Sequence, residues 1–326
     1  MFRRGSRSQH QTRIFFATDV HGSDRCFRKF LNAARVYEAQ VLILGGDVTG
    51  KILVPLVTNG DGTWRGEIYD EPVQASTEEE LAALQKRIRT MGRYDVLLTA
   101  EQKEQVDRDP HGAEALFRRA MRESLERWVA LADERLADSG VPCYMMLGND
   151  DFEELADTLR GSTVVLNAED DVFELPGGFE LASLGYSTPT PWATPRELPE
   201  DELRAKIDAV LVGVRDPEHA VFNFHCPPID SHLDQAPRLD PELRPVVDIS
   251  GLQVTSVGSH AVREAIERTQ PLLGLHGHVH ESPAGEKLGR TLCINPGSEY
   301  ADGILRGAIV DIERGKGVRR WQIIQG

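Results

Sequence analysis

Five short segments concentrate the side chains able to hold a divalent cation: Asp19-Val20-His21-Gly22, Gly45-Gly46-Asp47, Gly148-Asn149-Asp150-Asp151, Asn223-Phe224-His225 and Gly277-His278-Val279-His280. Carboxylate and imidazole together suit manganese, iron, zinc or cobalt, whereas an all-oxygen set would favour magnesium or calcium. An Asp-x-His or His-x-His pair projects two side chains to one side of an extended segment, so one strand end can feed one metal or two adjacent ones. The glycines suit sharp turns and close approach of backbone to a bound group. Thiolate ligation is not indicated, because Cys26, Cys143, Cys226 and Cys293 form no CxxC pair and read as reduced, packed thiols. Each motif alone is ordinary: a lone Gly-Asp is a turn, a lone histidine is a core or surface residue, and Gly-Asn-Asp is a loop. Their order along the chain and their placement at strand ends carry the metal reading.

The elements that must position them read as an α/β chain in which short apolar runs alternate with amphipathic helices. Ile14 to Ala17 and Val41 to Leu44 are strands, separated by a helix with Phe27, Phe30, Leu31 and Ala34 at helical spacing. Further strands are expected at Cys143 to Leu147, Val164 to Leu166, Leu181 to Leu184, Val221 to Phe224 and Leu272 to Leu275, with closing strands at Ile304 to Val310 and Trp321 to Ile324. The five segments follow these strands, and in α/β sheets ligands gather at the carboxyl ends.

One domain is expected over residues 1–326, with 51–140 as an insertion. Ile52 to Thr58 and Trp64 to Tyr69 flank Asn59-Gly60-Asp61-Gly62, a hairpin signal. Two helices follow, one with Leu81, Leu84, Ile88 and Met91 on a face, the other with Phe117, Met121, Leu125, Trp128 and Ala132. Those stripes suit packing onto the parent domain, and alternatively a substrate cap or a homodimer interface. Ser187 to Pro199 is a proline-rich loop carrying Trp192.

With 37 Lys and Arg against 52 Asp and Glu, the formal charge of -15 repels polyanions and argues against bulk nucleic-acid binding. Met1 to Arg13 is basic and polar, and the apolar run that follows is too short for a signal segment or a membrane span, so a cytoplasmic location is expected.

In order, D-x-H, GD, a GNDD variant of GNH-[DE], H and GHxH, the motifs resemble the calcineurin-like metallophosphoesterase superfamily, and the likeness covers nearly all of the chain outside the insertion. It implies an α/β/β/α sandwich and a two-metal site in which Asp19, His21 and His280 bind one ion, Asn149, His225 and His278 bind the other, and Asp47 bridges them. Asn295-Pro296-Gly297-Ser298 is similar to the NPGS segment that lies near the site in bacterial members. The implied activity is hydrolysis of a small phosphodiester or phosphomonoester, with Asp47, Asn149, Asp150 and His225 in the catalytic set. A nuclease of the same fold and a weakly catalytic metal-binding scaffold are the alternatives. The first calls for a basic groove and steep salt dependence, the second for lost ligands, yet all seven positions carry competent types.

The chain departs from the resemblance at Asp150, where the family has the histidine that protonates the leaving group. Beside two cations a carboxylate is held ionised and donates a proton poorly, so the expectation is either a preference for substrates with good leaving groups or a donor supplied by another residue such as His232 or His260. Two cations about 3.5–4 Å apart acidify a water between them and neutralise the attacked phosphoryl group. Because Asp47 touches both in this scheme, Asp47→Asn is expected to abolish turnover in a metal-reconstituted assay. Near-normal activity with intact metal content would count against the scheme.

Overall fold

The computed structural model describes residues 10–249 and 251–326; most of the basic segment Met1 to Arg13 lies outside them. Two six-stranded sheets form the frame. In spatial order the first contains Gly317–Gln325, Arg306–Glu313, Gln11–Ala17, Val41–Gly45, Cys143–Met146 and Val165–Asn167, the last four being parallel. The second runs Ala284–Leu288, Thr291–Asn295, Leu273–Leu275, Ala220–Phe224, Phe179–Leu184 and Val172–Leu175, with four parallel strands inside two antiparallel edges.

Period-two alternation explains the layering, because these strands are apolar on both faces. Ile14, Phe16, Val41 and Ile43 meet Leu181, Val221, Leu273, Leu275 and Ile294 between the sheets. Their neighbours Phe15, Ala17, Leu42 and Leu44 point outward, onto the helices Asp24–Val36 and Pro110–Leu136. Helices Glu200–Leu211 and His260–Thr269 cover the far face of the second sheet through Leu203, Ile207, Val262 and Ile266. The expected α/β/β/α sandwich is the observed fold.

The 51–140 span divides by its packing. Hairpin Ile52–Thr58 and Trp64–Ile68 forms where the turn residues put it, but Glu71–Ala75 and Arg93–Thr99 extend it to a four-stranded sheet. Pro72 in Glu71–Ala75 is tolerated because that strand is an edge. Leu81, Leu84 and Ile88 of helix Glu78–Thr90 are buried on this sheet with Val54, Leu56 and Ile68. The second expected stripe belongs elsewhere: Met121, Leu125, Trp128 and Ala132 pack against Phe27 and Phe30, and Trp128 stacks on Phe27 with ring centroids 4.2 Å apart. Both stripes that suggested a homodimer are thus covered within the chain.

An ion network pins the strand before the first site motif to the chain's closing strands. Asp311 accepts from Arg13 Nε and Nη2 at 2.6 and 3.0 Å and from Arg320 Nη2 at 2.6 Å. Burial pushes its carboxyl up, but the hydrogen bonds from Arg13 and Arg320 outweigh this and hold it below its ordinary value. A depressed carboxylate contributes stability that is present above its unfolded pKa and lost as pH falls through the folded one. Asp311→Ala is therefore expected to cost about 2 kcal/mol at neutral pH, discounted for solvent at the exposed Arg320. In denaturant titrations the gap from wild type should begin to close below about pH 4; a gap independent of pH in acid would show that the charge is not its source.

Candidate metal centre

Every site segment leaves a parallel strand at its carboxyl end, and the turns are tied together before any side chain acts. Asp19 N donates to Gly46 O at 3.1 Å, His21 N to Asp47 O at 3.0 Å and Gly22 N to Val48 O at 2.8 Å. Asp19, His21, Asp47 and His278 have φ of 53°, 39°, 49° and 67°. Such left-handed backbone costs a residue with a Cβ about 1–2 kcal/mol, and its recurrence at ligand-type residues marks a functional site. Glycine is required where the turns cross: a Cβ on Gly148 would lie 2.1 Å from Asp47 Oδ1, and one on Gly277 would lie 2.4 Å from Asp19 Oδ2.

Four of the seven expected side chains form one tight group, and the other three adjoin it in pairs, His225 beside Asp47 and His278 beside Asn149. Asp19, His21, Asp47 and His280 offer ligand atoms all within 4.8 Å of one another. His21 Nε2 lies 3.1 Å from His280 Nε2 and 3.6 Å from Asp47 Oδ2, and His280 Nε2 lies 3.3 Å from Asp19 Oδ1. On the other side, His225 Nε2 is 3.4 Å from Asp47 Oδ1, and His278 Nδ1 is 2.8 Å from Asn149 Oδ1. Two atoms bound to one cation at about 2.1 Å each are about 3.0–3.4 Å apart in ordinary geometries, so most of these spacings fit a shared ion. Buried His225 Nε2 also lacks a good hydrogen-bond partner, while its Nδ1 donates to Gly45 O at 2.8 Å and fixes the ring. Donor types, spacing and this orphaned nitrogen fit a divalent metal.

Charge balance within the cluster is uneven. Burial alone would raise Asp19, but the hydrogen bond from His280 and the charge of His225 bring it down to about 2. Asp47 is held well below its ordinary value against the same burial, chiefly by His225. His225 moves the other way, up to about 9, because Asp47 outweighs burial. Burial dominates at His21 and His278, lowering them to about 3 and about 4.

Asp150 donates its backbone N–H to Asp47 Oδ1 at 3.0 Å, and its carboxylate pairs with Lys51. Burial, reinforced by Asp47, pushes that carboxyl up to about 7, with Lys51 pulling against it. The expected substitutes for the missing histidine are engaged elsewhere. His232 is exposed and pairs with Glu286 at 3.2 Å, and His260 is exposed at a helix start with its N–H on Glu200 at 2.8 Å. His276 is buried with Nδ1–H donated to Phe224 O at 2.7 Å, as a packing residue.

Supporting residues are where reading the sequence was weakest. Asp151 is fully buried and accepts from Val48 N, Thr49 N and Gly148 N at 2.9, 2.8 and 2.7 Å, clamping two site turns together. The proline-rich loop does structural work as well: Thr194 accepts from Asn149 Nδ2 at 2.8 Å, and buried Arg196 donates to Gly148 O at 3.1 Å while pairing with Glu169 and Glu153. In the NPGS segment, Asn295 Nδ2 donates to Val279 O at 2.8 Å and Ser298 Oγ to Asp19 O at 2.6 Å. A buried Asn following an apolar strand was the available signal.

His225 must give up its Nε2 proton to bind a metal, so ion binding is linked to pH. Calorimetry in buffers of different ionisation enthalpy should detect proton release on Mn²⁺ or Zn²⁺ binding below about pH 9, with affinity rising about one decade per pH unit per proton released. Affinity flat from pH 6 to 9 would show that this proton does not compete with the ion.

No family model matches the chain. An uncharacterized protein of Methanocaldococcus jannaschii is 28% identical over 151 residues, covering 46% of this chain and 61% of that one. The UDP-2,3-diacylglucosamine hydrolase of Escherichia fergusonii is 28% identical over 162 residues, covering 50% and 62%. The chain thus spans about three-fifths of the length of these relatives. Among solved structures, TT1561 of Thermus thermophilus superposes with a TM-score of 0.52 at 14% identity over 97% of this chain and 98% of the other, a likeness of fold. These comparisons show a likeness of fold, and the site residues lie at the strand ends in the order that the resemblance implies.

Proposed function

We propose that the chain is a metal-dependent hydrolase of small phosphoesters working with two divalent cations. The observation that carries this reading is the position of Asp47, whose Oδ2 faces His21 at 3.6 Å while Oδ1 faces His225 at 3.4 Å. Asp19, His21 and His280 would hold one cation, Asn149, His225 and His278 would hold the other, and Asp47 would serve both. Manganese, iron, zinc and cobalt are the candidates by donor type. When bound, the pair supplies a water acidified for attack and positive charge against the phosphoryl oxygens. The chain's own part is positional: Gly45 O orients His225, Thr194 turns the Asn149 amide, and Asp151 keeps the two turns in register.

A cavity of about 430 Å³ beside His280, lined by Ser298, Tyr300 and Arg306, suits a small substrate. The acidic surface disfavours the nuclease reading, and the complete set of ligand types disfavours a silent scaffold. Four buried free cysteines support a reducing, cytoplasmic location, and among the described residues no helix is long and apolar enough to cross a membrane.

The test is a screen of the metal-reconstituted protein against a bis-aryl phosphate, an aryl monophosphate, cyclic nucleotides, UDP-2,3-diacylglucosamine and single-stranded DNA. Expected is metal-dependent turnover of one small-ester class, with little dependence on salt. Absence of turnover with manganese, iron, zinc and cobalt alike, or preference for DNA, would defeat the reading.

A further inference from the structure

The ligand cluster has one open side, and its polar groups are few. Asp19, His21, Asp47, Asn149 and His225 are buried, leaving the partly exposed His278, His280 and Tyr300 and the pair formed by Lys51 and Asp150 to meet anything arriving from solvent. The Lys51 side chain is 46% exposed and pairs with Asp150 Oδ2, an atom 3.8 Å from His21 Nδ1. Its positive charge acts on His21, Asp47, His280 and Tyr300, so the ammonium stands beside the side of the cluster formed by His21 and His280. The charges of Asp47 and Asp150 outweigh burial and keep Lys51 protonated.

In-line displacement at phosphorus puts the leaving oxygen opposite the attacking one. Cations held among the buried ligands would put the attacking water on the closed side, and the leaving oxygen would then emerge on the open side. We propose that Lys51, oriented by Asp150, is a catalytic residue that donates a hydrogen bond from its ammonium group to the leaving oxygen; this rests on the phosphoesterase reading above. The attacking water releases one proton to solvent as its oxygen forms the new bond to phosphorus, the bond from phosphorus to the leaving oxygen breaks, and that oxygen keeps the electron pair. Lys51 stabilises the resulting charge while solvent water supplies the proton. Asp150 is a positioning residue here, which accounts for a carboxylate standing where a proton donor would be expected: it holds a cation in that place.

Lys51 also opens the inserted sheet, since Ile52 begins its first strand. Gly50 and Gly92 pack so closely that a Cβ on Gly50 would lie 2.1 Å from Gly92 O, and one on Gly92 would lie 2.2 Å from His21 O. The sheet is therefore seated directly on the turn carrying His21, and Gly50 N donates to Tyr94 OH at 2.6 Å, anchoring the residue before Lys51.

The experiment compares wild type with Lys51→Met, both metal-reconstituted, on phosphoesters running from 4-nitrophenyl through phenyl to methyl leaving groups, with metal content measured on the same samples. Lys51→Met should lose about 100-fold in kcat/KM on the methyl ester, the scale of a lost oxyanion donor, and less than tenfold on the 4-nitrophenyl ester, with metal content unchanged. Equal loss across the series overturns the proposal while leaving the hydrolase reading intact. Loss of bound metal in Lys51→Met assigns the residue to holding the site together and overturns it as well. A wild type inactive on the whole series removes the hydrolase reading and this inference with it.

Discussion

A buried carboxylate reached from several directions is the constraint around which this chain is built. Asp47 sits in left-handed backbone, faces His21 and His225 with its two oxygens, and receives the Asp150 N–H at 3.0 Å. An unpaired charge in that position would be intolerable, so its neighbours must arrive with little freedom. Gly46 and Gly148 allow this: a Cβ on the first would lie 2.5 Å from His225 Nδ1, and one on the second would overlap Asp47 itself. Asp151 then closes the arrangement by accepting from both turns at once.

The sandwich supplies what local sequence cannot. Asp19, His21, Asp47 and Asn149 descend from the first sheet, while His225, His278 and His280 descend from the second, so the site exists only if the sheets keep a fixed mutual position. Ile14, Phe16, Val41 and Ile43 against Leu181, Val221 and Leu273 provide that rigidity. Close-packed interiors shift in discrete steps rather than deform smoothly, which is what ligand spacings near 3 Å demand.

Much of this was legible in the sequence, for a physical reason. Central parallel strands are continuous apolar runs, so those at Val41–Gly45, Cys143–Met146 and Ala220–Phe224 stood out, and the polar residues after them had no packing explanation. Peripheral elements stayed hidden. Glu71–Ala75 is short, polar and interrupted by Pro72, Arg93–Thr99 opens on a charge, and helix Ala100–Arg108 buries no residue. The stripe on Pro110–Leu136 was visible but its partner was not, because periodicity gives the face a helix buries and not what it buries against. Lys51 illustrates the same limit. A lone lysine after a turn carries no signal, and only its approach to Asp150 distinguishes it.

The electrostatics argue that the cluster is kept for chemistry and not for stability. Replacing a buried ion pair by well-packed apolar groups is often neutral or stabilising by about 1–4 kcal/mol, and here the ionic groups also occupy strained backbone. In the metal-free chain His225 serves as the internal cation, raised to about 9 between Asp19 and Asp47, while His21 and His278 are held neutral by burial. Imidazole protons, on His225 and His280, are thus set against two buried carboxylates. A divalent ion would answer this charge, because His21 and His278, already neutral, would bind it without losing a proton and the carboxylates would gain a cationic partner. The fold therefore holds His21 and His278 in the ionisation state that a metal requires, while His225 and His280, both raised by neighbouring carboxylates, couple binding to pH.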